Sequence, residues 1–186
     1  KGNIELKMSC VMNQMSNYTS VFMRTYGWLI CNDLPKGWVS AKIEDVDTYL
    51  LIFVDKYEYT LDAFELQYEI DDRDMLTFLF LLLHGLYEAR DRHGFFHGDI
   101  KAQNIMLYRV KNPIADTLPS QTITIGNTEY IIKPNSYWLP KFIDYGESLY
   151  YNLGSHKQVP KIDNDIISLF RTFKGLNRGN TFIQDS

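Results

Sequence analysis

The 186-residue chain is long enough for one domain with a real core, and 45% apolar with 23% charged residues excludes a disordered or fibrous polymer. Its 19 basic and 23 acidic side chains leave a net charge of −4 with no basic tract, which argues against a nucleic-acid or anionic-membrane surface. Cys10 and Cys31 form neither a disulfide framework nor a C-x-x-C site, which points to a reducing compartment, and His84, His93, His97 and His156 do not fall at structural-zinc spacing.

Lys1 to Ser16 place Ile4, Met8, Val11, Met12 and Met15 at helical spacing, so the chain opens in or just before a helix, not on a signal peptide. Asn17 to Cys31 reads as a turn and then an extended segment, and Asn32 to Gly37 as a second turn. Tyr49 to Val54 is a continuous apolar run of β type, expected as a buried strand. Tyr57-Glu58-Tyr59 follows it, and Thr60 to Tyr68 reads as a short helix.

Asp71, Asp72 and Asp74 suit the start of a helix, where they cap it and complement its dipole. Met75 to Arg92 is the strongest helical pattern; its early part is apolar on most sides, as in a helix running through a core. The apolar run inside it, Phe78 to Leu83, is too short to span a bilayer. His93-Gly94 stops the helix, and Phe95 and Phe96 lead into a loop at His97. Ile105 to Val110 reads as a strand, and Asn112 to Gln121, with Pro113 and Pro119, as a loop. Thr122 to Ile125, Gly126-Asn127 and Thr128 to Lys133 spell a hairpin. Leu139 to Ile143 brings the chain to Asp144; sixteen residues then separate Gly146 from Asp163. A last helix opens at Asp165, before a polar tail that reaches Ser186. The class is α+β.

The chemistry concentrates in His97-Gly98-Asp99-Ile100-Lys101-Ala102-Gln103-Asn104 and, forty residues after Asn104, in Asp144-Tyr145-Gly146. A lone Asp in a loop is usually a cap or a solvated charge. The combination is different: an acid to accept a hydroxyl proton, a cation for a phosphate, and an Asn plus an Asp for Mg²⁺ form the set that phosphoryl transfer needs. The spacing H-x-D-x-K-x-x-N followed by D-[aromatic]-G closely resembles the catalytic and metal-binding loops of protein kinases. The resemblance implies that Asp99 positions the acceptor hydroxyl and takes its proton, and that Lys101 contacts the transferred phosphoryl group. It also implies that Asn104 holds one Mg²⁺ and Asp144 the Mg²⁺ bridging the nucleotide phosphates, with Gly146 permitting the turn that aims Asp144.

Several further expectations follow from the resemblance. ATP and Mg²⁺ are the cofactors. Lys101, two residues after the Asp, is the habit of serine/threonine protein kinases and favours a protein hydroxyl over a sugar or choline. Gly98 stands where the family usually has Arg, which with the short segment after Gly146 and no Ala-Pro-Glu implies no need for loop phosphorylation. Tyr57-Glu58-Tyr59 falls at the hinge, where Glu58 and Tyr59 would offer backbone groups to adenine, and Met106 would floor the adenine site. A tyrosine pair ending a strand and a core Met would look the same. Asp165 would reach back to the backbone of the catalytic loop, and Glu5 is the candidate for the glutamate of helix C.

Two elements of the family pattern are missing. The sequence has no G-x-G-x-x-G. Val39-Ser40-Ala41-Lys42 imitates V-A-I-K, but Lys42 lies only fifteen residues before Tyr57, too close to be the phosphate-pairing lysine. The reading is therefore a protein-kinase-like fold, mainly its helical C-terminal lobe. Residues 1–56 would be a remnant of the N-terminal lobe and 57–186 the C-terminal lobe, with a partner chain or further segment completing the β lobe. Tyr57-Glu58-Tyr59, the β insertion, Ile143-Asp144-Tyr145 and Asp163-Asn164-Asp165-Ile166 together are similar to the haspin-like branch, and kinases of large DNA viruses share several of these traits. A protein substrate and an intracellular location, cytoplasmic or nuclear, follow. The alternatives are a catalytically silent kinase-like binding module and a small-molecule phosphotransferase of the aminoglycoside or choline kinase type.

Overall fold

Helix α1 (Gly2–Gln14) carries Met8 and Met12 on one buried stripe, continued by Met15 in the 3₁₀ turn that follows. A computed structural model describes residues 2–32, 49–68, 70–110, 120–151 and 164–176. The turn expected at Asn32 to Gly37 lies, but for Asn32, outside the described residues, as do Lys42, His156, Asp163, the polar tail and most of the Asn112 to Gln121 loop.

The chain is a mixed α/β structure. Strands β1 (Thr25–Cys31) and β2 (Tyr49–Val54) pair antiparallel, with Trp28 opposite Ile52, as a two-stranded sheet. Here the expectation of a buried strand fails: Phe53 is 46% exposed, and Trp28, Leu29 and Ile30 across from β2 are more than half exposed. A strand buries both faces only where a layer covers each side, and the apolar run reports β propensity, not the presence of those layers.

The sheet that positions the site runs β3 (Tyr59–Thr60), β5 (Ile105–Arg109), β8 (Trp138–Phe142), antiparallel throughout. Ile105, Leu107 and Phe142 point into the core and are fully buried, while Met106 and Lys141, paired in register, share the opposite face. Beyond β8, Val21 to Met23 runs alongside in parallel: Phe142 N donates to Val21 O at 2.7 Å and Met23 N to Phe142 O at 3.1 Å.

Helix α2 (Leu61–Gln67) is short, as expected, and α3 (Asp72–His93) is the long one. Asp71 caps α3 by accepting from Asp74 N at 2.8 Å, and Gly94 ends it in left-handed backbone. The early part of α3 is not covered all round. Leu76 and Phe80 are exposed and, with Leu83 and Ile132, line a shallow apolar pocket of about 370 Å³. The hairpin β6 (Gln121–Ile125) and β7 (Thr128–Ile132), joined by Gly126-Asn127, contributes Ile132 to that pocket and brings the Thr124 carbonyl 3.4 Å from His84 Nε2 further along α3. Strands β4 (Phe95–Phe96) and β9 (Leu149–Tyr150) pair, and α4 (Asn164–Leu176) packs on α3 through fully buried Leu169 and Phe173. Among the described residues no helix is long and apolar enough to cross a membrane.

Gly85 lets α3 approach the Val21 segment: a Cβ there would lie 2.1 Å from Val21 Cγ2. Gly85→Ala should lower the melting temperature although Ala is the better helix former, because overpacking costs about 1–3 kcal/mol against about 1 kcal/mol of propensity. A thermal melt that stayed level or rose would show that the segment yields freely.

Candidate active site

The loop from His97 to Asn104 is held from below. Asp165, in the first turn of α4 and buried, accepts from His97 N at 2.7 Å and Gly98 N at 3.0 Å, and Arg90 Nη2 lies 4.0 Å from the same carboxylate. The His97 ring is also buried: Nε2 faces Ile143 O at 2.9 Å and is therefore the protonated nitrogen, while Nδ1 accepts from Asp99 N at 3.4 Å. Burial pushes the His97 pKa down, which favours this neutral form. Ser148 Oγ donates to His97 O at 2.9 Å and closes the loop against the chain that follows Gly146.

Gly98 has a φ of 82°, and a Cβ there would stand 2.4 Å from Glu147 O. Position 98 therefore admits no side chain unless Glu147 moves, for reasons of both backbone and space.

Asp99, Lys101 and Asn104 meet directly. Lys101 Nζ donates to Asp99 Oδ2 at 2.6 Å, and Asn104 Nδ2 donates to Asp99 O at 2.8 Å and to Oδ2 at 2.9 Å. The Lys101 ammonium, chiefly, holds the Asp99 carboxyl below the usual range, so Asp99 is an acceptor at neutral pH. Asp144 acts on the same group through its charge, adding to the rise in Lys101 that Asp99 mainly causes. Glu5 also faces Asp144: burial first, and then the Asp144 charge, raises its pKa.

The turn at Asp144 is built differently from the expectation for Gly146. The left-handed residue is Asp144 itself, with φ 61°, whereas Gly146 is not left-handed. Gly146 matters through proximity: its N–H donates to Asp144 Oδ1 at 3.3 Å, and a Cβ would come within 3.2 Å of that oxygen. A non-glycine residue in this region costs on the order of 1–3 kcal/mol, least for Asp and Asn.

The hinge positions are less direct. Glu58 N donates to Leu107 O at 3.3 Å, so that N–H already belongs to the sheet, and its side chain is exposed. The Tyr59 side chain turns into an aromatic cluster with Phe64, Tyr68 and Trp138, its hydroxyl 3.0 Å from that of Tyr68. Met106 is half-buried on the sheet face away from the core. Two residues were missed by sequence reasoning. Asp62 Oδ2 accepts from Gln103 Nε2 at 2.6 Å and ties α2 to the loop, and Lys141, half-buried beside Met106, donates to Ser20 O. An acid in the first turn of a helix was the one signal for Asp62; a lysine inside a strand gives none.

No family model and no curated protein matches the chain. Among solved structures it is similar to the crystal structure of a Plasmodium kinase domain, at 14% identity and a TM-score of 0.42, over 82% of this chain and 42% of that one. This chain thus spans less than half of that structure, and a likeness at this score does not bear on the chemistry.

Lys101→Met should raise the Asp99 pKa toward the ordinary carboxylate range, because it removes the cation that favours the charged form. An NMR titration of the Asp99 carboxyl carbon reads this directly; a midpoint that stayed put or fell would remove the ion pair as the cause.

Proposed function

We propose that this chain carries the catalytic loop of an ATP- and Mg²⁺-dependent phosphotransferase of the protein-kinase type, acting on a serine or threonine hydroxyl of a protein. One observation carries the reading: Asp99, Lys101 and Asn104 are joined by hydrogen bonds of 2.6–2.9 Å within charge reach of Asp144. No common structural role gathers an ionised acid, a cation, an amide and a second acid on two loops.

Each group has a task in that chemistry. Asp99, ionised, accepts the hydrogen bond of the acceptor hydroxyl and then its proton as the oxygen attacks phosphorus. Lys101 places positive charge beside the transferred oxygens and keeps Asp99 ionised until the proton arrives. A cavity of about 450 Å³ lined by Gly98, Asp99, Glu147 and Leu149 gives the acceptor chain room next to Asp99. The donor set fits Mg²⁺, which takes one or two protein oxygens and completes its shell with phosphates and water; among the described residues no cluster of three acids, histidines or cysteines suits a transition metal. With its nitrogen engaged by Asp99, Asn104 has Oδ1 to offer, and Asp144 supplies a carboxylate. When bound, the ion neutralises charge on the phosphate oxygens.

Lys101 supports a protein hydroxyl over a small-molecule acceptor, and the hinge, insertion and Ile143-Asp144-Tyr145 motifs support the haspin-like and large-DNA-virus branch. For adenine, Met106 offers an apolar surface; Tyr59 contributes backbone only, and at Glu58 the carbonyl is the group the reading needs. The silent-module reading draws on one observation, the exposed apolar ribbon of Trp28, Leu29, Ile30 and Phe53 together with the missing glycine loop. In the active reading a further segment or partner chain covers that ribbon.

Asp99→Asn and Asp144→Ala should each slow phosphoryl transfer about 10²–10⁴-fold. Neither side chain is core, so Asp99→Asn should melt as the wild type, and Asp144→Ala should lose only the roughly 1 kcal/mol that alanine adds in left-handed backbone. Turnover near wild type in either variant, measured with radiolabelled ATP, would remove the roles assigned here.

Transfer should also be independent of phosphorylation between Gly146 and Asp163. Gly98 offers no cation there, and Arg90 is stacked 4.0 Å from the Phe96 ring and faces Asp165. Ser148 is buried and bonded to His97 O, which leaves Tyr150, Tyr151 and Ser155 as acceptors, Ser155 outside the described residues. Phosphatase treatment should change turnover by less than about tenfold; a larger loss, absent when all three are replaced, would contradict it.

A further inference from the structure

We propose that the Tyr145 hydroxyl is a positioning group for Asp144, and that the tie it makes sets how tightly the site takes a divalent cation; this rests on the phosphotransfer reading of Asp144. The Tyr145 ring is fully buried, edge-on to Phe95 and His97 with centroids at 6.1 and 5.8 Å. A phenylalanine would supply that burial equally well. The hydroxyl adds two hydrogen bonds: it accepts from Met23 N at 2.9 Å and donates to Phe142 O at 3.0 Å. Burial pushes its pKa up, so it remains a donor at any working pH.

These bonds act on a residue under strain. Asp144 holds a left-handed backbone, and both of its neighbours are fixed: Ile143 N donates to Asn104 O at 3.1 Å, and Tyr145 is tied to Met23 and Phe142. The ring packing restrains where Tyr145 sits, and the two hydroxyl bonds add a restraint on how far the ring slides along its own axis, and so on how Asp144 is presented. Met23 belongs to the segment that follows α1, so the same tie links Asp144 to the element that carries Glu5.

Removing the hydroxyl orphans no buried donor, because Met23 N also reaches Phe142 O at 3.1 Å. Tyr145→Phe therefore keeps the fold and isolates the tie. The test uses the full chain with Mn²⁺ as a spectroscopic probe, free Mn²⁺ being counted by electron paramagnetic resonance in the presence of ATP. Tyr145→Phe should weaken Mn²⁺ binding about tenfold, the scale of one lost hydrogen bond. ATP affinity measured in EDTA should stay at the wild-type value, the melting temperature should fall by no more than the few degrees that one lost hydrogen bond costs, and Asp144→Asn should lose the Mn²⁺ site. If Tyr145→Phe binds Mn²⁺ as the wild type does while Asp144→Asn does not, the positioning role is wrong and the phosphotransfer reading survives. A parallel fall in metal-free ATP affinity, or a collapse in melting temperature, would make Tyr145 a general packing residue and overturn the proposal. Mn²⁺ binding indifferent to Asp144→Asn would remove the metal reading itself, and this inference with it.

Discussion

The carboxylate of Asp165 organises the loop that the rest of the site depends on. Buried ions are expensive, several kcal/mol each even after relaxation, and hydrogen bonds to a charge return about 1.5–3 kcal/mol apiece. Two such bonds, to His97 N and Gly98 N, with Arg90 at 4.0 Å, bring the account close to balance. The arrangement therefore contributes little stability but a great deal of definition: two consecutive N–H groups can point at one carboxylate only if the chain turns sharply between them. That turn sends Asp99 outward, where Lys101 and Asn104 meet it, while His97 stays inside and reaches Ile143. The residue on the core side of the loop and the residue on the reactive side are both fixed by one acid on another helix.

The second organising feature is the seam between β8 and the Val21 to Met23 segment. It lies where α3 comes closest, at Gly85, and where the chain leaves the sheet for Asp144. Ordinary β pairing up to Phe142 gives way within two residues to a left-handed Asp144. Such a change of backbone persists only when its surroundings over-determine it. Here the Asn104 carbonyl holds one side and the buried Tyr145 the other.

Much of this was legible in the sequence because its cause is local. Gly126-Asn127 between alternating strands gives the hairpin, Asp71 ahead of an apolar period gives the start of α3, and the Asp99, Lys101 and Asn104 spacing gives the cluster. The misreadings share a different cause. The β2 strand and the early part of α3 were read as buried because apolar periodicity records which faces prefer cover, while cover depends on layers far away in sequence. The reach of Asp165 across 67 residues was legible only by family resemblance. The engagement of Glu58 N by Leu107, and the left-handed backbone at Asp144 in place of Gly146, were invisible: a pattern of residue types does not record which peptide group is already paired. Lys141 illustrates the limit, since nothing in its neighbours announces a half-buried cation that reaches the Ser20 carbonyl.

Gly98 also sets a rule for anyone who would re-engineer the loop. The Glu147 carbonyl stands where any side chain at position 98 would begin, and the backbone there is left-handed. A library that varies position 98 alone should return glycine. Placing a cation at that point requires the Glu147 segment to be redesigned in the same step, so the two stretches form one unit of design although they lie far apart in sequence.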